Sequence, residues 1–274
     1  MNSIMIRDIT LGQYYPGNSP VHRLDPRVKI LGTLLYIVTL FLVKDFLGFL
    51  LAAGFLALCI AISRVPLSFM LKGLKPIFLI ILFTFLVNMF LTGGTVLFRL
   101  GPLTITREGL YQAFFMGVRL VLLIIGSSLL TLATKPISLT DGLERLLAPF
   151  GKIGLPSHEL AMMMTIALRF IPTLLEETDK IMKAQMARGA DFESGNLLRR
   201  AKSLVPLLVP LFISAFRIAQ DLAMAMEARC YRGGDGRTRM TEMRFHGRDA
   251  AAFLVLLGFF LLILAEPYLV QGLF

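Results

Sequence analysis

The stretch FLGFLLAAGFLALCIAIS, residues 46–63, runs for eighteen residues without a charged side chain. A helix needs roughly 20 predominantly apolar residues to cross a hydrocarbon core about 30 Å thick. Further apolar runs of comparable length occur at Val28–Val43, Pro76–Thr92, Ala113–Thr134 and Ala250–Val270. The pattern predicts an all-α integral membrane protein with about five transmembrane helices.

The composition of the whole chain agrees with this prediction. Of its 274 residues, 56% are hydrophobic and only 17% are charged, and the mean hydropathy is +0.73. These values exclude an ordinary soluble domain. The formal net charge of +10 does not indicate nucleic-acid binding by itself, because membrane proteins hold basic residues in cytoplasmic loops for topological reasons. We expect a lipid bilayer, and no nucleic acid, as a partner.

Basic residues orient the predicted spans. They are concentrated in the N-terminal arm, in the loop after the second span and before the last span, where Arg237, Arg239, Arg244 and Arg248 lie. The positive-inside rule places these segments in the cytoplasm. With five spans, the N-terminus is cytoplasmic and the loop Thr92–Glu108 is external. The polar start of the chain lacks the pattern of a cleaved signal peptide, so we expect it to stay in the cytoplasm.

The middle of the chain differs in composition from the rest. Lys135–Asp249 holds 17 Lys and Arg residues and 13 Asp and Glu residues. We therefore predict three parts: residues 1–134 form the N-terminal arm and four transmembrane helices, residues 135–249 form a cytoplasmic helical domain, and residues 250–274 form the last transmembrane helix.

Two apolar runs inside this middle part, Leu160–Leu175 and Leu204–Ala225, leave an alternative open. If both runs cross the bilayer, the chain has seven spans, and the sequence predicts an autonomous secondary transporter or channel. Arg169 and Arg217 would then lie near the middle of the membrane, where a charge is costly. We favour two long amphipathic cytoplasmic helices over seven spans.

The favoured helices run from Pro156–Ser157 to Ala187 and from Ser203 to Arg229. Pro172 is expected to kink the first because it removes a backbone donor. A stripe of small residues on the second helix lets another helix approach closely, so the two are predicted to cross there. The stripe is Ala215, Ala219 and Ala223, and a shorter helix, Ser138–Phe150, is predicted to precede both long helices.

Both long helices end in the same way. Their last residues are Ala187-Arg188-Gly189 and Ala228-Arg229-Cys230. An Arg near a helix C-terminus interacts favourably with the helix dipole, and a following Gly is a common terminator, so a purely structural interpretation exists. The repetition also fits a pair of docking tips, because a guanidinium can bind a carboxylate on a partner through two parallel hydrogen bonds.

The sequence offers no catalytic or cofactor site. No Gly-x4-Gly-Lys-Ser/Thr phosphate-binding loop is present, and the three histidines, His22, His158 and His246, are far apart in sequence and are predicted to be surface groups. No series of acidic residues in the spans marks an ion path. We predict a protein that is not an enzyme and has no catalytic residue, cofactor or metal ligand.

Four motifs in order resemble the transmembrane T component of energy-coupling factor (ECF) transporters, which import vitamins and transition-metal ions in prokaryotes. The motifs are Leu24-Asp25-Pro26-Arg27-Val28-Lys29, Leu168-Arg169-Phe170-Ile171-Pro172, Ala187-Arg188-Gly189-Ala190-Asp191-Phe192 and Ala225-Met226-Glu227-Ala228-Arg229. The resemblance covers nearly the whole chain. It implies a multi-pass subunit of the prokaryotic inner membrane whose cytoplasmic coupling domain contains two long crossed helices.

The resemblance also implies partners and a role. A T component associates with two ATP-binding-cassette ATPases and one substrate-binding S component, and it transmits ATP-driven motion to the S component. The Arg of each Ala-Arg-Gly-type tip docks into an ATPase groove, which assigns that role to Arg188 and Arg229. Cys230 departs from the family pattern, so the nearby Arg232 is an alternative second docking residue.

Overall fold

The computed structural model of the chain describes residues 14–100, 103–154, 156–192, 202–233, 243 and 245–271. Arg237, Arg239 and Arg244, which helped to orient the chain, lie outside the described residues. Within the described ranges the chain forms nine α-helices, a β-hairpin and a short 3-10 helix. The helices are α1 (Pro26–Leu42), α2 (Phe46–Ser63), α3 (Leu67–Leu74), α4 (Phe78–Leu91), α5 (Arg107–Ala133), α6 (Pro136–Leu147), α7 (Ser157–Ala187), α8 (Val205–Ala228) and α9 (Gly247–Gln271).

The described residues fall into two compact units. One unit comprises the described parts of Gly12–Leu143 and Glu242–Phe274, and the other those of Glu144–Thr241. The first unit holds α1 to α5, most of α6, and α9. The second holds the end of α6, the 3-10 helix Ala148–Ile153, α7 and α8.

Several helices have the length and composition of membrane spans. In the described part of the chain, α2, α5, α7, α8 and residues Gly247–Glu266 of α9 are long and apolar enough to cross a bilayer. The helices α3 and α4 meet at a bend of 60° and together could form one further span. The prediction of an all-α membrane protein is confirmed. The set differs from the predicted one, because α7 and α8 meet the criterion whereas α1, with 17 residues, is shorter than all five.

Several predicted helix starts are wrong by a few residues, and capping explains the differences. The span predicted at Ala113 begins at Arg107, because the Thr106 hydroxyl accepts a hydrogen bond from Gly109 N at 3.0 Å and starts the helix earlier. The helix predicted at Ser138 begins at Pro136, whose fixed φ suits the first turn. It ends at Leu147, and the 3-10 helix Ala148–Ile153 replaces the rest of the prediction.

The two long helices also differ slightly from their predicted limits. The helix α7 begins at Ser157, and Pro156 holds the capping position without a side-chain hydrogen bond. The helix α7 continues through Pro172 to Ala187. The helix α8 begins at Val205, two residues after the predicted Ser203, and it too contains a proline, Pro210.

The loop predicted to connect the spans around residue 100 contains a β-hairpin that the sequence analysis did not anticipate. Strands β1 (Val96–Leu100) and β2 (Leu103–Thr106) pair in antiparallel fashion. The Glu108 carboxylate accepts a hydrogen bond from Thr95 N at 2.7 Å, which ties the start of α5 to the start of the hairpin.

The apolar core of the first unit lies where α1, α2, α5 and α9 meet. Its buried residues include Tyr36, Leu40, Phe49, Leu122 and Ile263. The Tyr36 ring packs so closely on α5 that a Cβ atom at Gly126 would lie 2.5 Å from it. Glycine is therefore required at this helix contact.

Arg119 is the one charged residue within the predicted fourth span, and its charge is accommodated by neighbouring groups. Its Nη2 donates to the Val43 carbonyl at 2.7 Å, and its guanidinium lies 5.4 Å from the centre of the Phe49 ring. Both contacts reduce the cost of placing the charge within an apolar helix bundle.

The motif Asp25-Pro26-Arg27 joins the first and last helices of this unit. The Asp25 carboxylate caps α1 by accepting from Arg27 N at 2.9 Å, and it forms a two-pronged ion pair with the Arg27 side chain at 3.0 Å. The Asp25 amide donates to the Asp249 carboxylate of α9 at 2.8 Å. Both carboxylates are buried, so these bonds are shielded from water.

Replacing Asp25 with Ala should destabilise the protein by at least about 1 kcal/mol, because α1 loses its cap and Arg27 its carboxylate partner. The matched control is Asp45→Ala. Asp45 stands at the equivalent position before α2 but makes no capping hydrogen bond. Thermal loss of helical circular dichroism in mild detergent measures both variants, and equal stability of the two would contradict the prediction.

Candidate functional site

The C-terminal end of α7 carries the first predicted docking tip. Arg188 is the capping residue, with φ of −89° and ψ of 7°. Gly189 follows in the left-handed region at φ of +87°. Gly189 N donates to Met186 O and Ala190 N to Gln185 O, each at 3.0 Å. This pair of bonds is the Schellman arrangement, in which a left-handed residue reverses the chain and satisfies the last carbonyls of the helix.

The end of α8 repeats this geometry. Arg229 is the capping residue, with φ of −91° and ψ of 11°. Cys230 N donates to Glu227 O at 2.8 Å, and Tyr231 N donates to Met226 O at 3.0 Å. Cys230 takes the left-handed position at φ of +54°, where a side chain costs roughly 1–2 kcal/mol relative to ordinary backbone conformations.

The two ends therefore correspond residue by residue. Arg188 and Arg229 occupy the same capping position with nearly the same backbone angles, and Cys230 takes the place of Gly189. Arg232 lies outside this repeated structure, three residues beyond the cap of α8. The departure from the Ala-Arg-Gly pattern changes the residue type and leaves the backbone geometry intact.

Both tips present their Arg side chains to solvent. Ala187, Arg188 and Gly189 are exposed, and so are Ala228, Arg229 and Cys230. Within the described part of the chain, neither guanidinium forms an ion pair or a side-chain hydrogen bond. A guanidinium with unused donors can bind a carboxylate through two parallel hydrogen bonds, as the docking interpretation requires.

The tips lie far from each other within the second unit. Tyr231, next to the α8 tip, contacts His158 and Met162 in the first two turns of α7. Arg188 stands at the opposite end of α7, 30 residues after His158. At 1.5 Å per residue this places the two tips on the order of 40 Å apart. One small groove on a partner could not hold both.

The alanine stripe of α8 faces α7. Ala215, Ala219 and Ala223 line a narrow apolar cleft of about 270 Å³ together with Ile166 and Phe170 of α7. The stripe runs from the middle of α8 towards its C-terminal end. These small residues permit the close approach of the two long helices that the sequence predicts.

The N-terminal half of α8 carries an apolar face that no described residue covers. Val205, Val209, Phe212 and Phe216 recur at helical spacing and are between 53% and 67% exposed. Contiguous exposed apolar surface of this kind marks a site of contact with protein or lipid.

One polar cluster was missed by the sequence analysis. His158 was predicted to be a surface group, yet it is half-buried and lies 3.1 Å from the Glu144 carboxylate and 3.3 Å from the Tyr231 hydroxyl. The three residues come from α6, α7 and the end of α8, so no local sequence pattern links them. Among the described residues, no three His, Cys, Asp or Glu side chains converge as metal ligands.

Comparisons with known proteins place these features in a family. Residues 17–240 match the family CbiQ, described as cobalt transport protein. The chain is 62% identical over 249 residues to the energy-coupling factor transporter transmembrane protein EcfT of Thermosediminibacter oceani, covering 91% of this chain and 94% of that protein. It is 64% identical over 252 residues to the protein of the same name from Clostridium kluyveri, with 91% and 93% covered. For the Bacillus subtilis protein of that name the identity is 50% over 254 residues, with 92% and 96% covered.

Replacing Cys230 with Gly should leave the protein as stable as the wild type or raise its free energy of unfolding by up to about 1 kcal/mol. The gain from relieving the left-handed Cys, roughly 1–2 kcal/mol, is partly offset by the greater freedom of Gly in the unfolded chain. Cys230→Val should lower stability, because a β-branched residue tolerates this conformation poorly. Thermal unfolding followed by circular dichroism tests both, and a clear loss of stability in Cys230→Gly would contradict the left-handed geometry.

Proposed function

This chain belongs to the family of energy-coupling factor transporter transmembrane proteins, EcfT, within the CbiQ family, and from that premise we propose that it is the membrane subunit that couples two ABC ATPases to a substrate-binding S component. The complex imports a vitamin or another micronutrient across the prokaryotic inner membrane. The chain itself is not catalytic; its partners bind and hydrolyse ATP. The observation that carries the proposal is the pair of structurally equivalent, solvent-exposed Arg tips.

Each tip docks one ATPase subunit. Arg188 with Ala187 and Gly189 forms one docking element, and Arg229 with Ala228 and Cys230 forms the other. Two observations support two separate ATPase subunits: the tips share one backbone geometry, so each fits the same kind of groove, and they stand on the order of 40 Å apart. Arg232 has an accessory role at most, because it lies outside the repeated structure.

The S component docks on the exposed apolar face of α8. This face, defined by Val205, Val209, Phe212 and Phe216, is exposed and apolar, which suits a membrane-embedded partner. It lies on the same helix as the Arg229 tip. Any displacement of that tip by an ATPase therefore moves the S-component surface directly.

Coupling follows from this arrangement. When ATP binds, the two ATPase subunits close on each other and bring the two tips closer together. The packing of α7 against α8 must then change. The small side chains of Ala215, Ala219 and Ala223 and the adjoining cleft allow α8 to shift against α7 with little steric resistance. The shift reorients the S component in the membrane.

Helices α7 and α8 lie in the cytoplasm, within the domain proposed at 135–249. Arg169 and Arg217 are both exposed on these helices, and among the described residues no carboxylate forms an ion pair with either, so both charges would be costly in a bilayer. The seven-span alternative, an autonomous secondary transporter or channel, is kept as a second candidate because α7 and α8 are long and apolar enough to span a membrane.

Thiol labelling distinguishes the two topologies. Lys183 is exposed near the end of α7, and Lys183→Cys in a background lacking Cys59 and Cys230 gives a single reactive site. We expect a membrane-impermeant maleimide to label it only from the cytoplasmic side of sealed vesicles. Seven spans would place residue 183 near the external face and give the opposite result. A second protein that keeps native Cys230 and lacks only Cys59 controls for vesicle orientation, because both topologies place Cys230 in the cytoplasm.

Charge reversal at both tips tests the docking proposal. We expect Arg188→Glu with Arg229→Glu to abolish co-purification of the ATPases and substrate uptake, because a docking carboxylate would then meet a like charge. The matched control is Lys183→Glu with Lys202→Glu, which reverses two exposed charges outside the tips, and Arg232→Glu is measured separately. Uptake at the wild-type rate by the tip variant would refute the proposal. Loss of the ATPases in Arg232→Glu alone would show that Arg232, and not Arg229, is the second docking residue.

A further inference from the structure

We propose that Glu144, His158 and Tyr231 form a positioning cluster that fixes the Arg229 tip to the start of α7, so that the second tip and that helix end move together. This inference rests on the proposed function, because the position of Arg229 matters only if Arg229 docks a partner. None of the three residues touches that partner in the proposal; they act through the tip.

The cluster begins at the chain reversal itself. Tyr231 follows the left-handed residue Cys230, and its amide closes the end of α8 by donating to Met226 O at 3.0 Å. Its half-buried side chain points at α7. The single hydroxyl hydrogen has two acceptors within reach, the Met162 sulfur at 2.9 Å and His158 Nε2 at 3.3 Å. Backbone and side chain of one residue thus connect the tip to the neighbouring helix.

Glu144 fixes the orientation of the imidazole. Its carboxylate lies 3.1 Å from His158 Nδ1, and the two side chains are only 13% and 28% exposed. A carboxylate accepts hydrogen bonds only, so Nδ1 carries a hydrogen and the ring is held with Nε2 towards Tyr231. Partial burial strengthens both contacts relative to the same contacts in water.

The first tip carries a different residue at the corresponding position. In the repeated end structure, Ala190 stands where Tyr231 stands at the second tip, and a methyl group cannot donate or accept a hydrogen bond. The two docking elements therefore share a backbone geometry but differ in how they are attached. Through Tyr231 and His158, displacement of the second tip is transmitted to the start of α7 and to the end of α6.

Tyr231→Phe removes the hydroxyl and keeps the ring, so it isolates the anchor. Spin labels at native Cys230 and at Lys183→Cys, in a Cys59→Ala background, report the position of the second tip relative to the far end of α7 by pulsed electron resonance. We expect a single narrow distance distribution for the full chain and a broadened one for Tyr231→Phe. Tyr111→Phe, which removes an exposed hydroxyl on α5, should leave the distribution unchanged.

A second pair of variants separates loss of the positioning hydrogen bond from a general loss of folded structure. His158→Gln keeps a side-chain amide oxygen that can accept a hydrogen bond from the Tyr231 hydroxyl and should keep the narrow distribution, whereas His158→Leu should broaden it. A distribution that stays narrow in Tyr231→Phe would overturn the proposal whatever the tips bind.

The functional readout uses the complete complex with ATPases and S component in vesicles. We expect Tyr231→Phe to retain both ATPases but to import roughly two- to ten-fold less substrate per ATP hydrolysed, the effect of losing one ordinary hydrogen bond on the population of a positioned state. Unchanged import per ATP would overturn the role of the cluster in coupling. If Arg229→Glu also left import unchanged in the same assay, the docking proposal would fail, while the distance measurements would still decide whether the cluster positions the tip.

Discussion

A hydrocarbon core offers no hydrogen-bond partner to backbone or charge, and this constraint determines how the chain is organised. It forces the apolar stretches into helices, of which α2 has no charge at all. It explains why the Arg119 guanidinium donates to the Val43 carbonyl and lies over the Phe49 ring. It also argues against placing α7 and α8 in the bilayer, because Arg169 and Arg217 are exposed on them and no described residue forms an ion pair with either. In the proposed topology the two long helices are available for contact with partners in the cytoplasm.

The helices α7 and α8 end with the same backbone arrangement, and each end presents an exposed Arg. A left-handed residue after each Arg reverses the chain, satisfies the last carbonyls and leaves the guanidinium projecting from the end of the helix. Gly189 adopts this conformation without cost, whereas Cys230 does so against a steric penalty. Next to the strained residue lies Tyr231, whose side chain bonds to α7 and stabilises the second end. The same geometry is thus stabilised by a glycine at the end of α7, and by the contact of Tyr231 with α7 at the end of α8.

The sequence alone was sufficient for the features that depend on local pattern. The run at residues 46–63 predicted α2 to the residue, and the repeated Ala-Arg ending predicted two equivalent tips. Features that depend on capping or on distant contacts were missed. Thr106 starts α5 six residues early through a hydroxyl bond, the hairpin at Val96–Thr106 has strands of only five and four residues, and the contact of His158 with Tyr231 joins positions 73 residues apart. No periodicity marks such contacts.

The proposal that the two tips hold two different ATPase subunits can be tested by photo-crosslinking in the assembled complex. A photoreactive amino acid is placed at Ala187, at Ala228 or at both, each next to its Arg and each exposed. We expect one ATPase adduct from each single site and a product of one chain with two ATPase subunits from the double site. Adducts of only one ATPase subunit with the doubly substituted chain, or adducts from neither site in an intact complex, would contradict it.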